Sequence, residues 1–390
     1  MQRLIRILCA GTLLLASSIT SSPAQTASGT ITIGFSGPLS GGAAAYGGDV
    51  QRGIQMGIDE VNADGGISVG GKKQLLKLVS LDDEYRPNET ATNVKRLSLE
   101  NGAPIIFVPH SGGVYAALGL NDKGPSKFIV AAYTSDPGIL KQNNSLLLMI
   151  PPAFDEYFKP FGELEMKRFG KTLGLIPTTT AYGNAWTKGF SALWQANGGT
   201  VLSNNGVDYN TTTDFSTAVS KTLADKPDVI FVGGPSQPTA LVMKAARDQG
   251  FTGGFIMMDQ TKFDQVEQVL PLPRLEGAVG ILPFRETPSA GLKTFVDAYT
   301  KKYGADRPPN PEIANNYETV HIFAEAIRLA NSTDPVAINA KVHEAAANLA
   351  VKYSPIVTHG VDKTGHLIEE AFGAIVDHGK YVRIPIRRTE

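Results

Sequence analysis

Short apolar runs alternate with amphipathic stretches along this chain, and the series occurs twice. The first series has four strand-like runs: Thr30–Phe35, Leu75–Leu81, Pro104–Val108 and Phe128–Ala132. The second series has four more: Thr172–Ile176, Thr200–Ser203, Asp228–Val232 and Phe255–Met258. Because neighbouring parallel strands need a crossover, usually a helix, the alternation predicts parallel sheets with helices on both faces. Two series predict an α/β protein with two doubly wound, Rossmann-like lobes.

The local patterns support this prediction. Val50, Ile54 and Ile58 recur every four residues, which places them on one face of a helix. The runs Pro104–Val108 and Asp228–Val232 are apolar without alternation, as expected for strands that are covered on both faces.

Strand-like runs after the second series indicate that the chain returns between the lobes. These later runs are Ala278–Leu282, Ala371–Val376 and Tyr381–Ile384. Proline, which cannot lie in a central strand, occurs in each of the three crossings that we predict: Ile150–Pro152, Gly280–Pro283 and Tyr353–Pro355. A three-segment hinge of this kind lets the lobes rotate about a defined axis. The first lobe is therefore expected to hold residues 28–150 and 281–354, and the second lobe residues 151–280 and 355–390.

The N-terminus has the features of a secretory signal peptide. Arg3 and Arg6 precede a mostly apolar run at residues 7–19, and Ser22-Pro23-Ala24 follows it. The run has 13 residues, fewer than the roughly 20 that a membrane-spanning helix needs. We predict that segment 1–24 is removed by cleavage after Ala24. Cys9 lies in this segment, so a mature chain without cysteine cannot form disulfides.

Composition and motifs exclude several function classes. The 36 basic and 37 acidic residues are scattered, which is not typical of a nucleic-acid-binding surface. No nucleophile elbow, P-loop or zinc-protease motif occurs. The six histidines show no metal-ligand spacing, and His359 and His366, which flank a turn, are expected to be solvated. We predict neither an enzyme nor a cofactor or metal site; a cleft hydrolase is the remote alternative.

The segment His110-Ser111-Gly112-Gly113 follows a buried strand and precedes a helix. Ligands of open parallel sheets bind beyond the carboxyl ends of the strands. Free backbone N–H groups at a helix start, together with a Ser hydroxyl, suit a carboxylate. The alternative interpretation is an ordinary capped helix start.

Several segments occur in an order that is typical of one family. They are the opening strand and loop 32–41, the helix with its glycine exit 47–67, the junction Asp82–Pro87, Ala181-Tyr182-Gly183 and Leu275-Glu276-Gly277. Over residues 30–385 this order resembles the leucine/isoleucine/valine-binding protein family, the type I periplasmic binding proteins that serve ABC importers. The resemblance implies the type I periplasmic binding protein fold, with a ligand cleft between the lobes.

The resemblance also implies which residues contact the ligand in the first lobe. The loop 110–113 matches the family's ligand-carboxylate loop, but the usual hydroxyl-rich run is replaced by Ser111-Gly112-Gly113, so backbone donors are expected to contribute more. Further matches to ligand-contacting positions are the loop Ala132-Tyr133-Thr134, Tyr46, which covers the ligand, and Tyr182, contributed by the second lobe.

Two strand ends of the second lobe complete the predicted site, with Ser236 and Gln237 at one and Asp259 and Gln260 at the other. Amino-acid binders of the family place an acidic residue near the last position, where it pairs with the ammonium group. If Asp259 faces the cleft, we expect an α-amino acid with a branched or aromatic side chain. If Gln260 does, a carboxylate without an ammonium group, such as an aromatic acid, is favoured. The predicted tyrosines give a slight preference to a flat apolar ligand.

The resemblance implies a periplasmic solute-binding protein that captures a small carboxylate-bearing ligand by lobe closure. Its expected partner is an ABC permease complex in the inner membrane, and we expect a monomer. A ligand that can contact both lobes only in the closed state shifts the population of the protein toward that state. The alternative is a ligand-sensing protein that docks on a membrane receptor.

Overall fold

The computed structural model describes residues 29–124 and 126–386. The predicted signal segment 1–24 and its cleavage point lie outside these residues. The helices of the described part are α1 (Ala44–Ala63), α2 (Pro87–Leu99), α3 (Ser111–Leu118), α4 (Phe158–Arg168), α5 (Ala181–Ala196), α6 (Ser216–Ala224), α7 (Ser236–Asp248), α8 (Phe263–Val266), α9 (Leu292–Tyr303), α10 (Pro311–Ala330) and α11 (Pro335–Ala347). Within the same residues, no helix combines the length and the apolar character needed to cross a bilayer.

The first sheet is formed by residues that precede position 150. Its strands are β1 (Gly29–Gly37), β2 (Ile67–Val69), β3 (Lys72–Asp82), β4 (Ile105–Val108), β5 (Ile129–Ala132) and β6 (Leu147–Met149). Their order in the sheet is β2-β3-β1-β4-β5-β6. All neighbours are parallel except β2, which pairs with β3 in the antiparallel direction.

The second sheet repeats this arrangement. Its strands are β7 (Thr172–Pro177), β8 (Thr200–Asn204), β9 (Val229–Gly233), β10 (Gly254–Met257), β11 (Ala278–Ile281), β14 (Phe372–Asp377) and β15 (Lys380–Pro385), and a separate two-stranded sheet holds β12 (Thr358–Val361) and β13 (Leu367–Glu369). The order is β15-β14-β11-β10-β9-β7-β8. The five strands β11-β10-β9-β7-β8 are parallel, as are β3-β1-β4-β5-β6 in the first sheet. The hairpin β14–β15 extends one edge, where β14 pairs with β11 in the antiparallel direction. The expectation of two doubly wound parallel sheets is confirmed.

The central strands are buried on both faces, as their sequences predict. All residues of β4 and β9 are buried. Side chains of β9 alternate between two apolar clusters: Ile230 and Val232 pack on one face of the sheet, and Val229 and Phe231 on the other. The second sheet therefore needs helices on both faces to exclude water from its strands.

Residues 355–370 were expected in the second lobe, and the structure places them on the first. Leu367 lies in the apolar core of the first sheet, and β12 packs against α11. His366 forms a β-bridge with Met149, and its Nε2 atom lies 2.9 Å from the carbonyl oxygen of Pro151. His366 is therefore buried, not solvated as predicted. Because these contacts hold the segment on the first lobe, the third connection lies between Glu369 and Phe372, not at 353–355.

Helices α1 and α10 pack closely because α1 carries glycine where the two backbones meet. A Cβ atom on Gly53 would overlap the carbonyl oxygen of Ile313, and one on Gly57 would lie 2.9 Å from Cβ of Val320. By contrast, a Cβ on Gly48, in the same helix, would meet nothing within 4 Å. The close approach fixes α10 against the first lobe.

We predict opposite effects for two Gly→Ala substitutions in α1. Gly53→Ala should lower the free energy of unfolding by about 1–3 kcal/mol, since α10 must move away from the new methyl group. Gly48→Ala, the matched control, should raise it by up to about 1 kcal/mol because alanine restricts the unfolded chain. Urea denaturation followed by circular dichroism measures both. Equal effects of the two substitutions would contradict the close helix contact.

Glu318 is a buried carboxyl group on α10 that holds the segment after α11. Its Oε1 accepts a hydrogen bond from Oγ of Ser354 (3.1 Å), and its Oε2 accepts one from the N–H of Ile356 (2.9 Å). Burial raises the pKa of Glu318 from 4.5 to about 8, although these donors oppose the shift.

The raised pKa predicts a pH-dependent penalty on folding. Between pH 4.5 and about 8 the unfolded chain releases the Glu318 proton while the folded chain keeps it, so stability falls as the pH rises. Glu318→Gln should therefore be more stable than the wild type at pH 8, by on the order of 4 kcal/mol at most, and lose this advantage by pH 4.5. Denaturant midpoints across this range measure the difference. Glu325→Gln, toward the surface of the same helix, is the control for removal of one carboxylate. An advantage of Glu318→Gln that is the same at every pH would contradict the assignment.

Candidate ligand-binding site

A cavity lies where the carboxyl ends of the two sheets face each other. Eight of the predicted site residues line it: Tyr46, His110, Ser111, Tyr133, Thr134, Tyr182, Asp259 and Gln260. Asp259 and Gln260 both line the cavity, so the two alternatives drawn from the sequence do not exclude each other. The lining residues follow β1, β3, β4 and β5 of the first sheet and β7 and β10 of the second, at the carboxyl ends of the strands as the parallel topology predicts.

The start of α3 presents hydrogen-bond donors to the cavity. Ser111 and Gly112 are the first two residues of the helix, so their N–H groups have no backbone carbonyl within the helix to which they can donate a hydrogen bond. Oγ of Ser111 lies 2.7 Å from Oγ1 of Thr134, which brings two hydroxyl groups to the same place. This group of donors suits a carboxylate.

His110 lines the cavity, but both of its ring nitrogens are engaged within the protein. Nδ1 accepts a hydrogen bond from the N–H of Gly113 (3.0 Å) and so caps α3. Nε2 lies 3.0 Å from Oδ2 of Asp83 and 3.3 Å from Oγ1 of Thr90. The ring is buried, as is Asp83. His110 therefore holds the loop in shape, and the N–H of Gly113 is not free for a ligand as the sequence suggested.

Tyr85 is a cavity residue that sequence reasoning missed. Glu84 and Tyr85 have φ angles of 52° and 63°, in the left-handed region that is uncommon for residues other than glycine. The strained turn is held by Asp82 and Asp83, whose Oδ1 atoms accept the N–H groups of Glu84 and Tyr85. The turn lays the Tyr85 ring on His110, with centroids 4.6 Å apart.

Asp259 is oriented by two donors from α5. Tyr182 donates its hydroxyl proton to Oδ1 of Asp259 (2.6 Å), and Nε1 of Trp186 donates to the same atom (2.8 Å). The Tyr182 oxygen in turn accepts the N–H of Gln260 (3.1 Å). Burial raises the pKa of Tyr182 well above 10, so this phenol stays a donor near neutral pH. Both donors bond to Oδ1, and neither reaches Oδ2 of Asp259.

A buried ion pair spans the two lobes at the cavity and was not predicted. Nζ of Lys262, in the loop after β10, lies 2.7 Å from Oε1 of Glu312, in the first turn of α10. The side chains are 6% and 1% exposed. Burial raises the pKa of Glu312, whereas Lys262 opposes that shift. The sequence Asn310-Pro311-Glu312 indicates a helix start, but nothing in it shows that this start faces the cleft.

Five predicted site residues do not line the cavity. Ser236 holds the loop behind it, since its Oγ accepts the N–H of Lys262 (2.9 Å). Gln237 is exposed and faces another groove between the lobes. Ala132 packs in the core beneath the sheet, because its side chain points away from the cavity. Gly112 and Gly113 contribute only backbone at the start of α3.

Direct hydrogen bonds also join the lobes around the cavity. Gly42 and Ala43 of the first lobe donate their N–H groups to the carbonyl oxygen (2.8 Å) and Oδ1 (3.0 Å) of Asn210. Nε2 of Gln265 donates to Oδ2 of Asp49 (3.1 Å). The lobes are thus in contact across the cleft.

Comparison with known proteins gives a consistent result. A sequence model described as periplasmic binding protein matches residues 30–380. The chain is 25% identical over 348 residues to Leu/Ile/Val-binding protein BraC3 of Rhizobium johnstonii, covering 88% of this chain and 90% of that protein. It is 24% identical over 336 residues to Leu/Ile/Val-binding protein homolog 7 of Brucella suis, covering 81% of each.

Solved structures share the fold. LivJ, the branched-chain amino acid transporter substrate-binding protein of Streptococcus pneumoniae in complex with isoleucine, has a TM-score of 0.74 at 22% identity and covers 92% of this chain and 100% of its own. A solute-binding protein of an ABC transporter from R. palustris, in complex with benzoate, has a TM-score of 0.77 at 19% identity and covers 93% and 98%. At these identities the likeness shows the fold alone.

We predict that His110 contributes to stability and not to ligand contact through its ring. His110→Ala should lower the free energy of unfolding by about 3 kcal/mol, because it removes the cap of α3 and the buried partner of Asp83. His359→Ala, whose side chain is 54% exposed in the wild type, is the control and should change stability by less than about 1 kcal/mol. Chemical denaturation measures both. A His110→Ala protein with wild-type stability would show that the ring has another role.

Proposed function

Since the chain belongs to the periplasmic binding protein family, we propose that it captures a small α-amino acid between its lobes and delivers it to an ABC importer. In this proposal the protein works as a monomer in the periplasm, its partner is the permease complex in the inner membrane, and the protein itself performs no catalysis. The observation that carries the proposal is the distribution of charge in the cavity: hydrogen-bond donors on one side and excess negative charge on the other.

The carboxylate end of the ligand is assigned to the start of α3. The N–H group of Ser111 and the hydroxyl groups of Ser111 and Thr134 lie on this side of the cavity. The N-terminus of a helix favours an anion by about 0.3–1 kcal/mol, and by up to about 2 kcal/mol where it is partly buried. No acidic side chain lines the cavity on this loop.

The ammonium end is assigned to Asp259. Lys262 and Glu312 offset each other, which leaves the Asp259 carboxylate as the uncompensated charge of the cavity lining. A ligand with a carboxylate and no ammonium group would leave this charge without a cationic partner, and a buried unpaired charge is costly. An α-amino acid supplies both groups.

The relatives provide examples of both ligand classes. BraC3 is named a Leu/Ile/Val-binding protein, and LivJ was solved with isoleucine. The R. palustris protein was solved with benzoate. The aromatic walls of this cavity, which include Tyr46, Tyr85, Tyr133 and Tyr182, support benzoate-like acids as the second candidate. The Asp259 carboxylate favours the amino acid.

Binding is coupled to closure because the proposed contacts come from both lobes. Ser111 and Gly112 belong to the first lobe and Asp259 to the second, so a ligand can bridge them only when the lobes are together. Such a ligand stabilises the closed form by its differential affinity for that form. The permease can then recognise closure through the surface that the two lobes present jointly.

We predict that the mature protein binds α-amino acids and discriminates against aromatic acids. Calorimetry with leucine, phenylalanine, benzoate and 4-hydroxybenzoate should give dissociation constants near about 1 μM for an amino acid, which is about −8 kcal/mol. The two benzoates should bind at least about tenfold more weakly, because they leave Asp259 unpaired. Small-angle scattering should show a smaller radius of gyration with the bound amino acid. Tight binding of benzoate without binding of any amino acid would overturn the ligand class.

Two tryptophans on α5 provide a matched pair of variants for this measurement. Trp186→Phe removes the donor to Asp259, and we expect about tenfold weaker amino-acid binding. Trp194→Phe removes a donor to the carbonyl oxygen of Lys171 (2.9 Å), away from the cavity, and should leave affinity unchanged. Equal loss of affinity in both variants would show that Asp259 does not contact the ligand.

A further inference from the structure

A second space adjoins the ligand cavity on the side of the inter-lobe connections. We call it the hinge chamber, and it is lined by Pro151, Pro152, Leu282, Phe284, Asn315 and Glu369, among others. Tyr133, Pro151, Asp259 and Lys262 line both spaces. A ligand whose polar end lies at α3 and Asp259 can therefore extend into the chamber.

Most of the chamber wall is apolar. All three connections between the lobes contribute to it, with Pro151 and Pro152 from the first, Leu282 from the second and Phe372 from the third. Tyr133 and Tyr157 add aromatic surface. Such a wall suits an aromatic or long apolar side chain.

Asn315, which lines this chamber, carries a buried hydrogen-bond acceptor that is unused. Its side chain is buried, at 5% exposure, and Nδ2 donates to the carbonyl oxygen of Pro311 (3.0 Å). No donor among the described residues reaches Oδ1 of Asn315. A buried acceptor without a partner costs about 1–3 kcal/mol, so a donor supplied by a ligand would be favourable here.

Four acidic or basic side chains line the chamber: Asp259, Lys262, Glu369 and Glu370. Lys262 is paired with Glu312, and burial, reinforced by Glu318 and Glu156, raises the pKa of Glu369 well above 4.5, which favours its neutral form. Burying an ammonium group against a mostly apolar wall is costly, so a neutral donor is favoured at Asn315.

We infer that the side chain of the ligand occupies the hinge chamber and ends in a neutral hydrogen-bond donor that bonds to Oδ1 of Asn315. The inference rests on the proposed amino-acid function and specifies the ligand class further: an α-amino acid with a hydroxylated aromatic side chain. Tyrosine is the probe of this class, and phenylalanine lacks only the hydroxyl group.

The same helix offers a matched control for Asn315. Asn316 is also buried, its Nδ2 donates to the carbonyl oxygen of Glu312 (2.7 Å), and its Oδ1 is likewise without a donor in the described part of the chain. Asn316 lines neither the cavity nor the hinge chamber. Leucine replaces either asparagine with nearly the same volume, so both variants should pay similar costs in stability.

The test compares tyrosine with phenylalanine by calorimetry on wild type, Asn315→Leu and Asn316→Leu. The wild type should bind tyrosine about tenfold more tightly than phenylalanine, since phenylalanine leaves the acceptor unpaired. Asn315→Leu should abolish this preference through weaker tyrosine binding, and Asn316→Leu should keep it. Circular dichroism confirms that each variant is folded.

Each other outcome overturns a defined statement. If both amino acids bind the wild type equally, or if Asn316→Leu loses the preference as fully as Asn315→Leu, the role of Asn315 is wrong and the proposed function stands. If lysine binds more tightly than norleucine while tyrosine shows no preference, the donor is a cation and the neutral class is wrong. If neither amino acid binds and benzoate does, the proposed function fails together with this inference.

Discussion

The buried ion pair between Lys262 and Glu312 is the interaction on which the shape of the ligand site depends. Glu312 is carried by α10, which the glycine contacts of α1 fix to the first lobe, and Lys262 follows a strand of the second sheet. The pair can form only when the lobes are together. Removing two charges from water costs about as much as their attraction returns, so the pair fixes the geometry of closure and contributes little net stability to it. A bound ligand can then shift the equilibrium between the open and closed forms toward the closed form.

Much of the fold could be predicted from local patterns. The runs that became β4, β9 and β10 were apolar over four residues, and β-strands buried on both faces need such runs. The strands β2, β6, β12 and β13 have only three or four residues each, too few for a pattern to identify them, although β2 pairs with the adjacent β3 and β12 with the adjacent β13. Placement of 355–370 depended on contacts of Leu367 and His366 with the first lobe, which no local pattern encodes.

Site residues that lie at strand ends could be predicted from the sheet topology. Site residues that reach the cavity through an unusual backbone conformation or a distant helix could not. Strand ends converge in any doubly wound sheet, so Ser111, Thr134 and Asp259 could be named from their place in the sequence. Tyr85 reaches the cavity only through two left-handed residues, and Glu312 only because α10 begins at the cleft. His110 shows the reverse case, since its position at a strand end suggested a ligand contact, whereas Asp83 and Gly113 already occupy both ring nitrogens.

The choice between Asp259 and Gln260 illustrates why single positions do not decide the ligand class. The sequence argument left open which of the two faces the cleft, and adjacent side chains would point in opposite directions if the strand continued through them. The strand ends at Met257, and the chain turns at Asp259 and Gln260, so the alternation no longer applies and both side chains reach the cavity. Gln260 then joins the lobes through the Tyr85 hydroxyl, 3.4 Å from its Nε2 atom, whereas the Asp259 carboxylate lines the cavity. The class of ligand follows from the sum of charges around the cavity and not from the identity of one residue.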